Sequence, residues 1–411
     1  MNLKYKKEDF LFGVEKSLLD NSWIKNKSDS RLSLNISQKY SLDRCFADIL
    51  SLRVANIDEL NAFLEPSLEQ MLPDPTIFNS LSIGVERLIQ AIIKKEKIAI
   101  LGDYDVDGLS SIALLKKYLE TFDIKTLSYI PDRLTEGYGP NKKAIDFLKS
   151  KEIKLLFMVD CGTNSHEIIS YVKKNNIDLI IIDHHKSYQK HLNVIALINP
   201  NSIYDSSGYE FLCSTGLTFI FINYLQKLLK LNKSFSKKLP DIKNFLDLVA
   251  LATVCDVVPL IGLNRAFVFE GLKVFSNREN LGLKLLADEG NLNKKPDEED
   301  LGFFFGPRIN AGGRVGKSDI GEKLLVSKNE DDVEILVQQL NTLNYQRKLI
   351  EDKVYQEVEK KIIKNRKSEN NSLFIFSDSW HEGVIGIVAS RIKEKYNKPV
   401  IILTRNKEIY K

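Results

Sequence analysis

The sequence is poor in cysteine and has no apolar run of the roughly 20 residues that a bilayer span requires. Its four cysteines, Cys45, Cys161, Cys213 and Cys255, stand far apart. This spacing matches neither a zinc site nor a disulfide framework, and it predicts a reducing compartment. No signal peptide is evident at the first residues. We therefore expect a cytoplasmic protein with no membrane partner.

The excess of positive over negative charge is also small. The 411 residues carry a net charge of only +4, which is too small by itself to indicate a nucleic-acid-binding protein. With 43% hydrophobic and 28% charged residues, the chain has the composition of a globular protein with room for two or three domains. The first fifty residues are more polar and predict a peripheral N-terminal extension.

Five short apolar runs follow one another at regular spacing in the middle of the chain. They cover 97–101, 126–130, 155–159, 179–182 and 194–198, and helix-compatible segments separate them. Strands that alternate with helices in this way form a parallel sheet covered by helices on both faces. The fold class predicted from this pattern is α/β.

The motif GDYDVDG directly follows the first apolar run and places Asp103, Asp105 and Asp107 at alternate positions. Carboxylates this close repel one another unless a cation lies between them. A calcium loop of the EF-hand type is disfavoured, because its twelfth position requires Glu and is Leu114 here. The motif is instead a turn between strand and helix, at the sheet edge where α/β folds bind ligands.

Two further predicted strands end in potential metal ligands, and a fourth site follows an apolar helix. Asp160 follows the third strand, Asp183, His184 and His185 follow the fourth, and Asp256 ends the segment LATVCD. Taken singly, these could be a solvated turn, a surface histidine pair or a helix stop. Taken together, they predict a site for Mg²⁺ or Mn²⁺, and two such ions can support phosphoryl hydrolysis.

The segments GDYDVDG, VDCG, IDHH and ATVCDVVPL, in this order, resemble the four motifs of the DHH phosphoesterase family. Oligoribonuclease and pyrophosphatase branches usually carry a histidine where this chain has Leu101. The first and last motifs are more similar to the RecJ group. That resemblance implies a 5′ to 3′ exonuclease that hydrolyses single-stranded DNA to 5′-mononucleotides in repair and recombination, using two Mn²⁺ or Mg²⁺ ions.

The same resemblance implies a monomer, with single-strand binding protein and a helicase as further partners. Two alternatives stay open at this stage. One is a different DHH phosphoesterase that cleaves oligoribonucleotides or cyclic dinucleotides. The other is a non-catalytic scaffold related to the RecJ group, although such a scaffold should have lost the candidate ligands.

The resemblance assigns roles to the candidate residues. The implied metal ligands are Asp105, Asp107, Asp160, His184 and Asp256, with Asp160 as the bridge between ions. His185 would lie near the scissile phosphate, and Asp103 would bind metal or support a ligand. Asp183 would orient a histidine, as carboxylates behind metal ligands commonly do.

Three downstream segments resemble the substrate-binding blocks of the same group. IPDRLTEGYGPN implies Arg133 as a phosphate clamp and Tyr138 as a stacking surface. FGPRINAGGRVG supplies Arg308, Asn310 and Arg314 beside glycines that let backbone approach a ligand, with a tight turn as the alternative. SDSWHEG opens a helix whose exposed amides favour an anion, with Ser379, His381 and Arg391 as candidates and capping as the alternative for Ser379.

The predicted domain organisation has four parts. They are an N-terminal extension over 1–50, a catalytic domain over 51–330, a connecting helix over 331–366 and an incomplete DHH-associated α/β domain over 367–411. Apolar residues spaced by three, four or seven predict about eight turns for the connecting helix. Because RecJ exonucleases continue into further C-terminal regions, including an OB-fold, we expect this sequence to be a fragment.

Overall fold

The computed structural model describes residues 6–18, 20–133, 135–188, 193–232, 237–364, 370–406 and 409–410. The chain forms two compact units, residues 1–67 and residues 68–411. Within the described ranges, none of the helices combines the length and apolar character that crossing a membrane demands.

The N-terminal unit is built around three helices, α1 (Ser30–Tyr40), α2 (Arg44–Ser51) and α3 (Asp58–Leu64). Asp29 begins α1, since its side chain accepts hydrogen bonds from two backbone N–H groups of the first turn. Ile36 and Leu60 are fully buried in the small core that the helices share. The segment predicted as an extension therefore contains two helices that contribute to a core.

The larger unit contains a five-stranded parallel sheet. Its strands are β1 (Ile98–Gly102), β2 (Leu127–Tyr129), β3 (Leu155–Val159), β4 (Asp178–Ile182) and β5 (Ala196–Ile198). The strand order is β2-β1-β3-β4-β5, and every neighbouring pair is parallel. All five predicted strands are present, and the α/β fold class is confirmed. Successive strands are added on one side of β1 and then on the other, so the strand order reverses between β1 and β3. Sheets of this kind bind ligands at the point of reversal.

Helices cover both faces of the sheet. They are α5 (Leu81–Lys94), α6 (Val106–Glu120), α7 (Lys142–Ser150), α8 (His166–Lys174) and α9 (Ser214–Leu231), and the short helix α4 (Leu68–Met71) precedes them along the chain. Alternate residues of each strand enter different cores: Phe157 packs with α5, α6 and α9, whereas Met158 packs with α7 and α8. Every residue of β1 and β3 is buried, which explains their uninterrupted apolar sequences.

A helical layer follows the sheet. It comprises α10 (Leu246–Cys255), α11 (Gly262–Ser276), α12 (Leu281–Glu289), α13 (Glu298–Asp300), a π-helical turn (Leu301–Phe305), α14 (Gly306–Val315), α15 (Ile320–Val326) and α16 (Glu330–Lys364). The 35 residues of α16 make nearly ten turns, two more than predicted. Its first turn carries Glu330, Asp331 and Asp332, which suit the positive end of the helix dipole.

The glycines of FGPRINAGGRVG correct one sequence-based interpretation. They lie inside α14 rather than in a loop that approaches a ligand. A Cβ on Gly313 would stand 2.7 Å from Cδ2 of Tyr104, and one on Gly312 would stand 3.0 Å from the Lys317 carbonyl oxygen. These glycines therefore allow close packing of the protein against itself.

After α16, the chain forms β6 (Leu373–Ser377), α17 (Glu382–Tyr396), β7 (Val400–Asn406) and β8 (Ile409–Tyr410). The sheet order is β6-β7-β8, with β6 and β7 parallel and β7 and β8 antiparallel. Val358 and Ile362 of α16 pack with Val388 and Ile392 of α17 in a separate core. These elements and the five-stranded sheet belong to the same compact unit. The predicted domain boundaries therefore stay predictions.

Candidate metal centre and nucleic-acid site

The loop after β1 is shaped by hydrogen bonds between its own residues. The Asp105 side chain accepts hydrogen bonds from the backbone N–H groups of Asp107 and Gly108, each at 3.0 Å, and so begins α6. A Cβ on Gly108 would lie 2.5 Å from the Asp103 carbonyl oxygen, so glycine is required for this close turn. The local sequence therefore directs Asp103, Asp105 and Asp107 to the carboxyl edge of the sheet.

Asp107 is held by the first residues of α9, a contact that spans more than a hundred residues of sequence. Its carboxylate accepts hydrogen bonds from the backbone N–H groups of Ser214 at 2.7 Å and Thr215 at 2.8 Å, and from the Thr215 hydroxyl at 2.7 Å. The sequence analysis missed Ser214 and Thr215. Their position at the start of an apolar segment is a signal for a helix start, but it does not show which acid they hold.

Asp160 lies at the end of β3 and is almost fully buried, with 2% of its surface exposed. Its φ of +57° is unusual for a residue other than glycine. Its backbone N–H is satisfied by the Ile182 carbonyl and the Ser214 hydroxyl, whereas its Oδ1 has no hydrogen-bond partner among the described residues. A buried carboxylate oxygen without a donor is costly unless a cation approaches it.

His184 stands between three carboxylates that come from different parts of the chain. Its Nε2 lies 3.2 Å from Asp160 Oδ1, 3.6 Å from Asp256 Oδ2 and 3.7 Å from Asp107 Oδ2. Asp256 reaches this position because it caps the C-terminus of α10. The tertiary structure thus brings four of the five predicted ligands together around one imidazole nitrogen.

Three sets of possible ligands have their nearest side-chain atoms within 4.8 Å of one another. The sets are Asp103, Asp105 and Asp160; Asp107, His184 and Asp256; and Asp160, His184 and His185. Asp160 and His184 each belong to two sets. Carboxylate oxygens with imidazole nitrogen are a suitable donor set for Mn²⁺ or Mg²⁺, and the oxygen of Asp160 that lacks a donor faces this cluster.

Burial and mutual repulsion raise the pKa values of several of these acids. Burial, followed by the nearby Asp105, raises the pKa of Asp103 to about 7. Burial, followed by Asp107 and Asp105, raises the pKa of Asp256 to about 8. The pKa of Asp160 is raised well above its ordinary value by burial and the surrounding carboxylates. Without a cation, the cluster retains protons that ordinary carboxylates would lose at neutral pH.

Asp183 and His185 form a separate hydrogen-bonded pair beside the cluster. Asp183 Oδ1 lies 2.7 Å from His185 Nδ1, and this bond raises the pKa of His185 to about 9. Burial pushes the pKa of Asp183 upward, but the hydrogen bonds with His185 and Thr163 outweigh it and lower the pKa to about 2. The imidazole is therefore cationic at neutral pH. Its Nε2 lies 3.2 Å from the Tyr138 hydroxyl.

An aromatic and basic rim adjoins this pair. The Tyr138 ring is 60% exposed and lies edge-on to Tyr104 at 6.3 Å. The Arg133 guanidinium stands over the Tyr104 ring at 5.2 Å. Burial lowers the pKa of Arg314, and the positive charge of Arg133 lowers it further. The Arg314 guanidinium also donates to the Gly383 carbonyl at 3.2 Å. Such a rim can bind a phosphate and stack a base.

The structure does not bring every predicted substrate-binding residue to this rim. Arg308 donates to Asn341 and to the Phe304 carbonyl and stands 3.7 Å from the centre of the Phe304 ring. Arg391 pairs with Glu351 and Asp352. These contacts give both guanidinium groups structural partners within the protein.

The remaining candidates occupy varied environments. Asn310 is half-buried in α14, and the exposed Ser379 shares a hydrogen bond with Ser377. His381 begins α17, since its Nδ1 accepts the Gly383 N–H at 3.1 Å. The amide that was expected to attract an anion is therefore capped by histidine. Burial lowers the pKa of His381, and the positive charge of Arg133 lowers it further.

Comparison with known proteins agrees with this geometry. Residues 97–253 match the profile described as the DHH family, N-terminal domain. This segment is a DHH-family domain. It contains β1 to β5 and all the candidate metal ligands except Asp256, which follows it by three residues.

The resemblance to the RecJ group is confirmed over a larger part of the chain. Single-stranded-DNA-specific exonuclease RecJ of Salmonella typhimurium is 33% identical over 349 residues, which are 82% of this chain and 60% of that protein. The chain thus spans about 60% of the length of this curated relative. A crystal structure of exonuclease RecJ bound to manganese is 29% identical, with a TM-score of 0.71 and 81% coverage of both chains.

The structure of RecJ in complex with Mn²⁺ from Thermus thermophilus is also similar. It has a TM-score of 0.77 at 25% identity, and the match covers 91% of this chain and 52% of that one. The similarity therefore extends beyond the DHH-family domain and includes most of the elements after β5.

Proposed function

We propose that this chain is a metal-dependent exonuclease that hydrolyses single-stranded DNA from the 5′ end to 5′-mononucleotides. One observation carries the proposal: Asp160 has a buried carboxylate oxygen that accepts no hydrogen bond from the described residues. This oxygen lies beside His184, within a cluster of carboxylates at the ends of the strands. The similarity to RecJ exonucleases, some of them solved with manganese, supports the same substrate class and cofactor.

Two Mn²⁺ or Mg²⁺ ions fit the available donors. Asp107, His184 and Asp256 would hold one ion, and Asp103 and Asp105 would hold the other, with Asp160 shared between them. When bound, such ions activate water and neutralise charge that develops on a phosphate. Asp107 is fixed in advance by the start of α9, so the ligand cluster is organised before a cation enters.

The surrounding residues would position the strand. His185 is held by Asp183 and is cationic, so it can stabilise the phosphate or give a proton to the leaving oxygen. Arg133 and Arg314 would bind the 5′-terminal phosphate, and exposed Tyr138 would stack on a base. Arg308, Asn310, Ser379, His381 and Arg391 remain candidate contacts for the rest of the strand.

The biological setting proposed for this activity is DNA repair and recombination. A monomer that acts with single-strand binding protein and a helicase stays our working assumption. The proposed domain division assigns catalysis to residues 51–330, with a connecting helix over 331–366 and a DHH-associated domain over 367–411.

The first prediction concerns polarity and metal dependence. A single-stranded DNA oligomer labelled at its 5′ end should release labelled mononucleotide early when incubated with this chain and Mn²⁺. EDTA should stop release, and an oligomer labelled at its 3′ end should release its label only late. Early release from the 3′ end, or cleavage of a short oligoribonucleotide or a cyclic dinucleotide in place of DNA, would contradict the proposal.

The second prediction concerns the phosphate clamp. Arg133→Ala should reduce the preference for 5′-phosphorylated over unphosphorylated DNA by roughly tenfold or more, since a hydrogen bond to a charged group contributes about 1.5–3 kcal/mol. The ratio of kcat/KM for the two substrates measures this preference. Lys149→Ala is a suitable control, because it removes an exposed charge from the last turn of α7, at the opposite edge of the sheet. Equal losses in both variants would remove Arg133 from the clamp.

A further inference from the structure

Val257 follows the candidate ligand Asp256 and has a backbone conformation that does not suit valine. Helix α10 ends at Cys255, Asp256 caps it, and Val257 has a φ of +57°. The Val257 N–H donates to the Val254 carbonyl at 3.2 Å. This is the position after a helix cap where glycine is usual, because a Cβ is unfavourable in the left-handed region. A β-branched residue at this position is an outlier.

Other residues in the same backbone region show how unusual Val257 is. The other described non-glycine residues with positive φ are Phe12, Asp20, Ser41, Ser80, Lys95, Asp123, Glu152, Asp160, Asn176, Arg278, Asn291 and Asn397. Within the described ranges, Val257 is therefore the one β-branched residue with this conformation. Most of the others are polar residues, and Asn and Asp tolerate this region.

Packing does not explain the valine either. The Val257 side chain is 85% exposed, so it adds little to the hydrophobic core. Ile261, four residues later, is also 54% exposed. Glycine would relieve the backbone, and a polar residue would suit the solvent. The valine side chain therefore destabilises the backbone of the isolated protein and makes little packing contact that would offset this strain.

The position of Val257 indicates where that side chain is useful. Asp256 Oδ2 lies 3.6 Å from His184 Nε2, within the candidate metal centre. Val257 is the next residue, so its exposed methyl groups stand at the edge of that centre. Backbone strain retained beside a site is a recognised feature of residues that contact ligands. The sugar and base next to a scissile phosphate offer apolar surface that such methyl groups can contact.

We propose that Val257 is a positioning residue that packs against the sugar or base of the nucleotide next to the scissile phosphate. This inference rests on the proposed function, because it requires a polynucleotide in the site. The contact excludes water from one side of the nucleotide and holds the phosphate above the ligands. Its strength depends on apolar surface at residue 257 rather than on charge.

Two variants test the contact. Val257→Gly removes both methyl groups and the strain, whereas Val257→Thr keeps the β-branched shape and replaces one methyl group with hydroxyl. Val257→Gly should raise KM for single-stranded DNA about fivefold, with kcat changed less than about twofold and an equal or higher Tm. Val257→Thr should raise KM by a smaller factor at an unchanged Tm. Val257→Ile should retain the original KM.

Asn176→Gly is the matched control. Asn176 also follows a helix cap, with a φ of +55° and an N–H that donates to the Lys173 carbonyl at 3.0 Å. It precedes β4 and thus lies at the opposite edge of the sheet. Its replacement should leave KM unchanged. A loss of affinity in this variant as well would show that the Val257 effect comes from the backbone.

The outcomes separate this inference from the proposed function. If the parent chain releases 5′-nucleotide and both Val257→Gly and Val257→Thr keep its KM, the positioning role is refuted and the exonuclease proposal stands. If the parent chain releases no nucleotide, the exonuclease proposal fails. The dissociation constant for single-stranded DNA, measured by fluorescence anisotropy with Ca²⁺, then decides: weaker binding by Val257→Gly supports the contact, and unchanged binding refutes it.

Discussion

Asp160→Asn should abolish metal-dependent hydrolysis and at the same time make the metal-free protein more stable. Asp160 belongs to two of the three candidate ligand sets, so its loss should disturb both ions. Losing several kcal/mol of transition-state stabilisation corresponds to a decrease in kcat of roughly 1000-fold or more. Rates with labelled single-stranded DNA and saturating Mn²⁺ measure this effect.

The gain in stability has a different cause. Burial and neighbouring carboxylates raise the pKa of Asp160, which means that its ionised form destabilises the folded protein. Asn has a similar shape but no charge, so it removes this unfavourable energy. At pH 8 without metal, we expect Tm to rise by about 2 °C. Sites that combine function with local instability commonly behave in this way.

Asp247→Asn is the matched control for the charge. Asp247 is also buried, and burial raises its pKa to about 6, but it lies outside the candidate ligand sets. Its replacement should change Tm without reducing the response to Mn²⁺ or the nuclease rate. An Asp160→Asn variant that folds normally and keeps the parent rate would refute the central ligand assignment.

Mn²⁺ should stabilise the protein much more at pH 8 than at pH 5.5. The folded-state pKa values of Asp103 and Asp256, about 7 and about 8, lie above those of an unfolded chain. The folded state therefore binds more protons between about pH 4 and pH 8. The stability that these groups contribute is complete below the unfolded pKa and is lost as pH rises through the folded pKa.

Metal binding reverses this trend, because the cation replaces the protons. The apparent affinity should rise roughly tenfold per pH unit for each proton displaced. Calorimetric Tm values at pH 5.5 and pH 8, each with Mn²⁺ and with EDTA, measure the difference. Equal Mn²⁺-induced shifts at the two pH values would show that the acids of this cluster are not the ligands.

Sequence patterns predicted the sheet well because its strands are local and strongly apolar. Each of the five runs became a strand within one or two residues of its predicted bounds, since strands buried on both faces need little else to specify them. The glycine-rich segment of α14 was harder. Its glycines indicated a loop, but packing against Tyr104 accommodates them in a helix. That packing joins segments about 200 residues apart and leaves no local pattern.

The candidate site shows the same division. Asp105, Asp160 and His184 could be selected because parallel strands bring their carboxyl ends to one edge. The residues that hold those side chains in place could not be selected from the sequence. Ser214 and Thr215 fix Asp107 through the start of a distant helix, and their sequence indicates only that a helix begins there.

The sequence by itself determined the order of chemical groups along the chain: an acidic turn, a second aspartate, a histidine pair and a final aspartate, each after an apolar element. It did so because apolar runs and the residues that end them are local properties. Only the tertiary structure decided that an oxygen of Asp160 accepts no hydrogen bond from the described residues and lies beside His184. It also decided that Arg391 pairs with Glu351 and that Val257 is exposed beside Asp256. These features depend on contacts between segments that are far apart in the sequence. Burial and electrostatic interactions are set by distances in space, which sequence spacing does not reveal.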